Sequence, residues 1–518
     1  MLNNKDFPPL PSDKDSQNHR TTHQAQKLEV PKRHPNATMD DLPDELILRI
    51  LEYLPFPDVD DPYQSIDNSQ LTNLALGQLS ATNRRLHNIV SEQLYASFRS
   101  SVCAPYLFLR TMISNRHAAH QVRSISFKYG PYACCRGGRY VPSIADRKVV
   151  KEGLKALEIP GWKDWATDCN DQVAEEMLYA SILMHTPNVT SLTIDDGTVP
   201  YKIPKWLELV RRAVSRTPFG RVHWFPNLQT IEIDVGPLKL RHLAPLFRLP
   251  SLRKLQLDGL VELGVNGKED LPGVIPHSSP IEELLLPGCL LQTKVLGKML
   301  LSCRRLKTFE HEYSDTKYVY QGSGEQYWRA SNSVEDENED ENEHEARPLD
   351  FDTLATYLQY HSKSLNTLIL SREMKDHPSF FYTPEALRTL GDLQSFPALT
   401  HLVIELRLLL DVNAKRPKKL SEHLPLALKT ISFYMGGDDR KRGWMALLEE
   451  MIASHGTSFL SLEEFTLFCR APWRRDYDWE QLRKRFLDVG VTFHKIVDVD
   501  TDTDSDSDID DTDSDEWD

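Results

Sequence analysis

The chain has 518 residues, of which 40% are hydrophobic and 26% charged, and its formal net charge is −15. This composition is typical of a folded protein with polar additions, and no stretch approaches the roughly 18 consecutive apolar residues of a membrane-spanning helix. The first residues lack the apolar segment of a secretory signal, so we expect a cytoplasmic or nuclear protein. We expect it to bind neither a membrane nor nucleic acid.

The negative charge is concentrated in two segments. Residues 498–518 contain twelve acidic residues and residues 335–345 contain eight, and neither segment contains Lys or Arg. Without them the rest of the chain has a formal charge of about +5. Repulsion and low apolar content predict a disordered acidic tail and a disordered acidic insertion at about 331–347. The polar residues 1–38 are predicted to be disordered as well.

Motifs of catalysis and metal binding are absent from the sequence. The seven cysteines are scattered and form no CxxC pair, so the sequence does not support a zinc ribbon or a thioredoxin-type site. Adjacent Cys134 and Cys135 fit either a reduced loop or a reactive or metal-binding pair. His117 and His120 lie three residues apart, but they lack the nearby acids or thiols that would complete a metal site. No phosphate-binding loop, nucleophile elbow or HExxH helix occurs. We therefore predict a non-enzyme without metal or cofactor.

The first ordered element is predicted within residues 42–55, LPDELILRILEYLP. Pro43 suits the first turn of a helix, and the two acidic residues after it lie near the positive end of the helix dipole. Prolines at positions 55 and 57 end the helix. Apolar residues at helical spacing form one stripe, which consists of Leu46, Ile50, Leu51 and Leu54.

A longer helical pattern follows at residues 71–98, and it predicts either one helix or two. Together with the first helix it makes a small apolar unit of roughly 60 residues, a size at which a domain is only marginally stable alone. We therefore expect this unit to depend on a partner.

From residue 120 onward one pattern returns ten times: an apolar residue, two others, an apolar residue, one other and an apolar residue. Compact neighbours begin 24 to 34 residues apart, close to the period of leucine-rich repeats. The copies are QVRSISF (from 121), NVTSLTI (188), NLQTIEI (227), SLRKLQL (251), PIEELLL (280), RLKTFEH (305), SLNTLIL (364), ALTHLVI (398), ALKTISF (427) and SLEEFTL (461).

Each copy predicts a strand whose apolar residues point into a core that an intervening helix covers. Helices are predicted, for example, in LKLRHLAPLFRLP and TKVLGKMLLSCRRL. The copies are degenerate and unequally spaced, which favours an irregular solenoid over residues 100–497. The same strand–helix alternation also fits an α/β sheet of another kind.

The helical unit at 39–99 resembles the F-box, through its LPxEL start, its Leu/Ile stripe and the later RRLHNIV helix. With the repeats behind it, the chain resembles an F-box protein with a leucine-rich-repeat region. The resemblance implies an α/β chain: a small all-helical F-box module at 39–99, then an irregular leucine-rich-repeat domain of parallel strands and helices at 100–497.

This resemblance implies a substrate-recognition subunit of a ubiquitin ligase. In such a ligase the F-box binds a Skp-type adaptor, which joins it to a cullin and a RING protein, and the repeats bind a protein substrate, here unknown. An F-box scaffold or nuclear interaction protein outside a complete ligase is the alternative. The residues that match the adaptor-binding motif are Leu42, Pro43, Glu45, Leu46, Ile50, Leu51 and Leu54.

Residues that alternate with the inward leucines are expected on the binding face of the repeats. The earlier repeats place acidic residues there and the later ones apolar residues, among them Ile369 and Val403, which suits a partner that is basic at one end. Strand-end aspartates also form turns. The candidate substrate-facing residues are Asp195, Glu232, Asp234, Asp258, Glu283, Tyr434 and Phe468.

The acidic tail alternates Asp with Ser or Thr, so it serves either solubility or phosphorylation by an acid-directed kinase, which adds about 1.5–2 negative charges per site. The candidate phosphorylation sites are Ser505, Ser507 and Ser514. The basic cluster at 414–419, AKRPKK, fits either a nuclear import signal or a solvated loop.

Overall fold

The computed structural model describes residues 42–51, 53, 68–101, 103–129, 140–171, 175–195, 203–236, 238–262, 271–313, 349–372, 389–410, 419–435, 444–470 and 478–498. The predictions for residues 1–38, 331–347 and 498–518 lie outside these ranges, except that Asp498, the first residue of the predicted tail, is the last residue of a strand. The chain divides into two compact units. The first comprises Met1–Ser191 with Phe219–His223, and the second Leu192–Pro218 with Trp224–Asp518.

The first unit is mainly helical. Its strands are β1, Ser97–Arg99, and β2, Ser124–Lys128. Its helices are α1 Asp44–Leu51, α2 Asn68–Thr82, α3 Arg84–Ala96, α4 Pro105–Ser114, α5 Arg116–Gln121, α6 Ile144–Ala156, α7 Trp162–Asp171 and α8 Glu175–His185.

Helices α1, α2 and α3 form the predicted helical module, and the long second stretch is two helices. The backbone is extended at Asn83, whose side chain accepts a hydrogen bond from the Leu86 amide at 2.8 Å and so caps α3. Both α1 and α2 pack on α3. Their shared core consists of Ile47, Leu51, Leu76, Leu86 and Val90.

Strand β1 pairs in parallel with β2, with Phe98 opposite Ile125. The buried Phe98 ring stacks on Phe108 of α4 at 4.2 Å between centroids. A sheet strand therefore begins at Ser97, inside the stretch that the sequence pattern predicts as helical, because the aromatic residue fills the core beside β2.

The second unit alternates strands with helices. Strand β3, Ser191–Asp195, lies at the division between the units. The other strands are β4 Thr230–Asp234, β5 Lys254–Asp258, β6 Val261–Glu262, β7 Glu283–Leu291, β8 Thr308–Tyr313, β9 Thr367–Arg372, β10 His401–Glu405, β11 Thr430–Met435, β12 Glu464–Arg470 and β13 Thr492–Asp498. The helices are α9 Lys205–Ser215, α10 Leu240–Leu243, α11 Thr293–Ser302, α12 Phe351–Gln359, α13 Leu406–Leu409, α14 Trp444–Ser454 and α15 Trp479–Asp488.

Strands β4, β5 and β7–β13 pair in parallel in chain order, and β6 pairs with β7 alone. Each of the ten pattern copies contains a strand, from β2 to β12, and its three pattern positions are buried. The predicted mixed α/β fold with a solenoid-like parallel sheet is therefore confirmed.

One backbone feature repeats along this sheet. The carbonyl of the residue after the first pattern position accepts hydrogen bonds from two consecutive amides of the next copy, at 2.7–3.1 Å. This arrangement fixes the register of each strand on its neighbour. The carbonyls belong to Gln229, Arg253, Glu282, Lys307, Asn366, Thr400 and Lys429.

Three details differ from the sequence-based expectation. The stretch before β5 is a short helix, α10, followed by the 3₁₀ turn Leu246–Arg248, because Pro245 cannot continue the helix. Strand β13 is missing from the ten copies because Lys495 lies opposite the buried Leu467, at a position where the pattern requires an apolar residue. The third pattern position of β8 is a buried histidine, His311.

Candidate functional site

Helix α1 begins one residue later than expected. The Pro43 carbonyl accepts hydrogen bonds from the amides of Leu46 and Ile47 at 3.0 and 3.2 Å, so Pro43 lies just before the helix rather than in its first turn. Two acidic residues follow in the first turn and Arg49 lies in the last, which is the favourable direction for the helix dipole.

The apolar residues of α1 fall into two pairs. Ile47 and Leu51 are 0% and 2% exposed and belong to the core of the module. Leu46 and Ile50 are 46% and 45% exposed. At about 100° per residue, the two pairs are offset by about 100° around the helix axis. The buried pair, Ile47 and Leu51, therefore stabilises the module, and the exposed pair, Leu46 and Ile50, forms an apolar surface.

The predicted adaptor-binding residues divide accordingly. Leu42 is half-buried and packs against the core, while Pro43 and Glu45 are exposed. Leu51 belongs to the core, and the most buried residue of α1, Ile47, is absent from the predicted set. Leu54 lies outside the described residues.

Two further exposed apolar side chains belong to the same module. Tyr53, just after α1, is 82% exposed, and Leu74 on α2 is 46% exposed. A helical pattern gives no signal for them, because it shows which residues are apolar and not which of them the neighbouring helices leave uncovered. They extend the list of candidate interface residues.

Arg85 of α3 holds the start of α1. Its Nε and Nη2 atoms donate to the Asp44 carboxylate at 2.8 and 2.5 Å, and Nη2 also donates to the Leu42 carbonyl. A planar guanidinium suits this forked geometry. The basic residue of the RRLHNIV helix thus positions α1, with Leu46 and Ile50, against α3.

A polar cleft of about 180 Å³ lies between α3 and α5. His87 Nδ1 is 2.8 Å from the Ser80 hydroxyl, and Gln121 contacts His117 at 3.0 Å. Burial raises the pKa of Tyr95, which also lines the cleft. The first contact lies within the module and the second within α5, and α5 packs against α3.

In the second unit the predicted substrate-facing residues lie where the sequence placed them. They alternate with buried residues, and all are exposed or half-buried. Glu232 accepts a bond from Lys254 at 2.7 Å, and the Tyr434 and Phe468 rings stack at 4.6 Å between centroids. Asp195 ends β3 and is half-buried.

Two acidic residues of this face are missing from the predicted set. Glu310 lies on β8 between the buried Phe309 and His311 and opposite the half-buried Ile369 of β9. Glu312 follows His311 and lies opposite Ser371. Burial raises the pKa of Glu310, and Lys254 partly opposes this effect. The alternation of RLKTFEH already placed Glu310 on this face.

The four buried cysteines of the described ranges, Cys169, Cys289, Cys303 and Cys469, have no features of a reactive site. Burial raises the pKa of Cys169 and Cys303 to about 12 and that of Cys469 to about 11, so these thiols are protonated at neutral pH. Cys289 is shifted in the same direction. Cys134, Cys135 and the three tail serines lie outside the described residues.

Among the described residues, no group of three His, Cys, Asp or Glu side chains could hold a metal ion. None of the helices in the described ranges has the length and apolar character that crossing a membrane requires.

Comparison with known proteins identifies the helical module. The model of the F-box-like family matches residues 39–100, which contain α1, α2 and α3. No curated protein matches the chain. The chain therefore carries an F-box-like domain, and domains of this kind generally bind Skp-type adaptors as non-catalytic subunits.

Proposed function

We propose that this protein is the substrate-recognition subunit of a Skp adaptor–cullin–F-box ubiquitin ligase. Helix α1 binds the adaptor, a cullin and a RING protein join through it, and the sheet of the second unit binds the protein to be ubiquitinated. The protein works in the cytoplasm or the nucleus.

The proposal rests on the division of the apolar α1 side chains into a buried pair and an exposed pair. Full burial of one Leu or Ile side chain stabilises a protein by about 1.5–3 kcal/mol. Leu46 and Ile50 are nearly half exposed, so much of this stabilisation is not realised in the module. Exposed apolar residues that lie together, at positions i and i+4 of one helix, mark a partner site more often than isolated ones. This pair lies within the F-box-like match.

The proposed adaptor surface comprises the exposed residues of the family motif and their exposed neighbours. Leu51 is omitted because its side chain fills the core, and Leu42 contributes through its half-buried edge. The surface consists of Leu42, Pro43, Glu45, Leu46, Ile50, Tyr53 and Leu74.

Co-expression of the full chain with a Skp-type adaptor, a cullin and a RING protein tests the proposal. We expect all four to elute together in size-exclusion chromatography, and L46E/I50E to elute alone. The matched control is V141E/I144E, because Val141 and Ile144 are also highly exposed apolar residues of the first unit. It should retain the complex.

The composition of the complex decides between the two functions. Recovery of the adaptor without the cullin would support a scaffold outside a complete ligase. Recovery of neither protein would show that the module is not an adaptor-binding F-box.

A further inference from the structure

The outward face of the second unit is divided into two zones along the strand order. The acidic side chains at outward positions of β4, β5, β7 and β8 form the acidic zone, and the apolar side chains at outward positions of β9–β13 form the apolar zone, which borders the paired Glu464 and His494 of β12 and β13. The acidic zone contains Glu232, Asp234, Asp258, Glu283, Glu310 and Glu312. The apolar zone contains Ile369, Val403, Tyr434, Phe468 and Ile496.

The acidic zone has an excess of negative charge. Among the described side chains of its four strands, the six carboxylates are accompanied by one outward basic side chain, Lys254, which donates a hydrogen bond to Glu232 at 2.7 Å. Lys254 lies directly opposite Glu283. A net excess of five negative charges attracts a basic partner and repels an acidic one.

The apolar zone presents aromatic and aliphatic surface. The Tyr434 and Phe468 rings are stacked with an interplanar angle of 13°, and Phe468 lies directly opposite Ile496, which is 47% exposed. Glu405 lies opposite Tyr434 but is buried, so it offers little surface. Rigid aromatic side chains of this kind are typical anchors in binding sites.

The two zones face a common space. Burial raises the pKa of Tyr434, and the charges of Glu312 and Glu310 raise it further, so the phenol lies within electrostatic reach of the β8 carboxylates. A cationic side chain at the boundary would meet carboxylates on one side and an aromatic ring on the other, and both attract it.

The width of the face from β8 to β12 matches the length of a short extended peptide. From β8 to β12 there are four strand spacings of about 4.8 Å, or about 19 Å. An extended peptide of about six residues covers this distance at roughly 3.3 Å per residue.

We infer that this face selects protein segments in which a cluster of Lys or Arg adjoins a cluster of aromatic or aliphatic residues, the basic cluster lying over β7–β8 and the apolar cluster over β9–β12. The inference rests on the proposed function, because it names the class of substrate that the ligase would recruit.

Segments of the chain itself fit this face poorly. The basic cluster at 414–419 is flanked by Leu410 and Leu420, whose side chains are buried and therefore not available to the apolar zone. The acidic segments 335–345 and 498–518 carry the same sign of charge as the acidic zone and are repelled by it. A second copy of the chain would present the same acidic face. Charge complementarity therefore favours a basic segment of another protein.

Fluorescence anisotropy with labelled peptides tests the inference on the full-length protein. Three peptides of about six residues have identical composition: an arginine block before a phenylalanine block, the reverse order, and arginine alternating with phenylalanine. At physiological salt we expect at least one block peptide to bind roughly tenfold more tightly than the alternating one, because only blocks match the two zones.

Variants of both zones locate the binding. E310Q/E312Q keeps the side-chain shape and removes two charges, and it should weaken block-peptide binding roughly tenfold. Y434A/F468A should weaken it by a similar factor. The control E480Q/D488N removes two charges from the exposed surface of α15 and should leave binding unchanged.

Equal affinity for block and alternating peptides would show simple charge attraction and overturn the inference, as would equal loss in E480Q/D488N and E310Q/E312Q. The peptide assay contains no adaptor, so such a failure leaves the proposed function intact. Conversely, if the block preference holds but the adaptor does not bind, the ligase function falls and the peptide preference of the face stands.

Discussion

Helix α1 and the strands of the sheet use their apolar residues in different ways. In strands β2–β12 the pattern positions are buried, so the pattern records packing. In α1 the apolar residues exceed what the core of the module accepts, and Leu46 and Ile50 remain exposed. An apolar stripe therefore indicates an interface only where the neighbouring elements leave part of it uncovered.

The two regions therefore have their functional surfaces in different residues. On α1 the proposed interface is part of the apolar stripe itself. On the sheet it is the set of residues between the pattern positions, such as Glu310 and Ile369. Substitutions in the two regions should separate stability from binding in different ways.

The largest effect is expected from a pattern residue of the sheet. Leu368→Ala removes a fully buried side chain from β9 and should lower the free energy of unfolding by about 2–5 kcal/mol. Its neighbour Ile369 faces outward, so Ile369→Ala should cost less than about 1 kcal/mol. Urea denaturation of both variants measures the difference. An equal loss of unfolding free energy in the two variants would contradict the assignment of pattern residues to the core and of outward residues to the surface.

The histidine at a pattern position should make stability depend on pH. Burial lowers the pKa of His311 to about 4, whereas an unfolded histidine titrates near 6.5. The unfolded chain therefore binds the proton first, and this residue's effect lowers stability as the pH falls from about 6.5 toward 4. Between about pH 7 and about pH 5 the expected loss is about 2 kcal/mol.

His311→Leu restores the apolar pattern and isolates this effect. The unfolding free energy of the variant should fall less steeply with decreasing pH than that of the wild type. This comparison of slopes does not depend on how much the two unfolding free energies differ at neutral pH. Parallel pH dependences would mean that the pKa of His311 is the same in the folded and the unfolded chain, and would contradict the effect of burial.

A smaller effect on stability is expected from Arg85, which fixes the start of α1 against α3. Arg85→Met removes the bonds to Asp44 and Leu42 and should lower the stability of the module by roughly 1 kcal/mol, because the ion pair is partly exposed. Adaptor affinity should fall severalfold, since α1 loses its fixed position. Arg84→Met, at the exposed neighbouring arginine, is the control, and calorimetry compares the two. Equal affinities would contradict the positioning role of Arg85.

Much of the fold could be predicted from the sequence because the strand pattern is local. The ten copies predicted ten strands, β2–β5 and β7–β12, and buried residues such as Leu255 and Leu402 follow directly from the pattern. Strand β13 could not be found this way, because Lys495 lies at an inward position and its ammonium lies 4.0 Å from the centre of the Trp479 ring.

The candidate site on α1 was only partly predictable. The sequence showed that α1 is amphipathic, yet the pairs Leu46–Ile50 and Ile47–Leu51 are both apolar and lie side by side on the helix. Which pair is buried depends on contacts with α2 and α3, which no local pattern contains. Tertiary packing therefore decided the division between core and interface.

The central claim is that the exposed pair of α1 binds an adaptor while the buried pair holds the module together. Isothermal titration of the full chain with a Skp-type adaptor, beside thermal unfolding of the same samples, tests it most directly. L46E/I50E should weaken binding at least about 100-fold with an unchanged melting temperature, because each side chain contributes about 1.5–3 kcal/mol when buried. Adaptor affinity equal to that of the wild type in this variant would contradict the account.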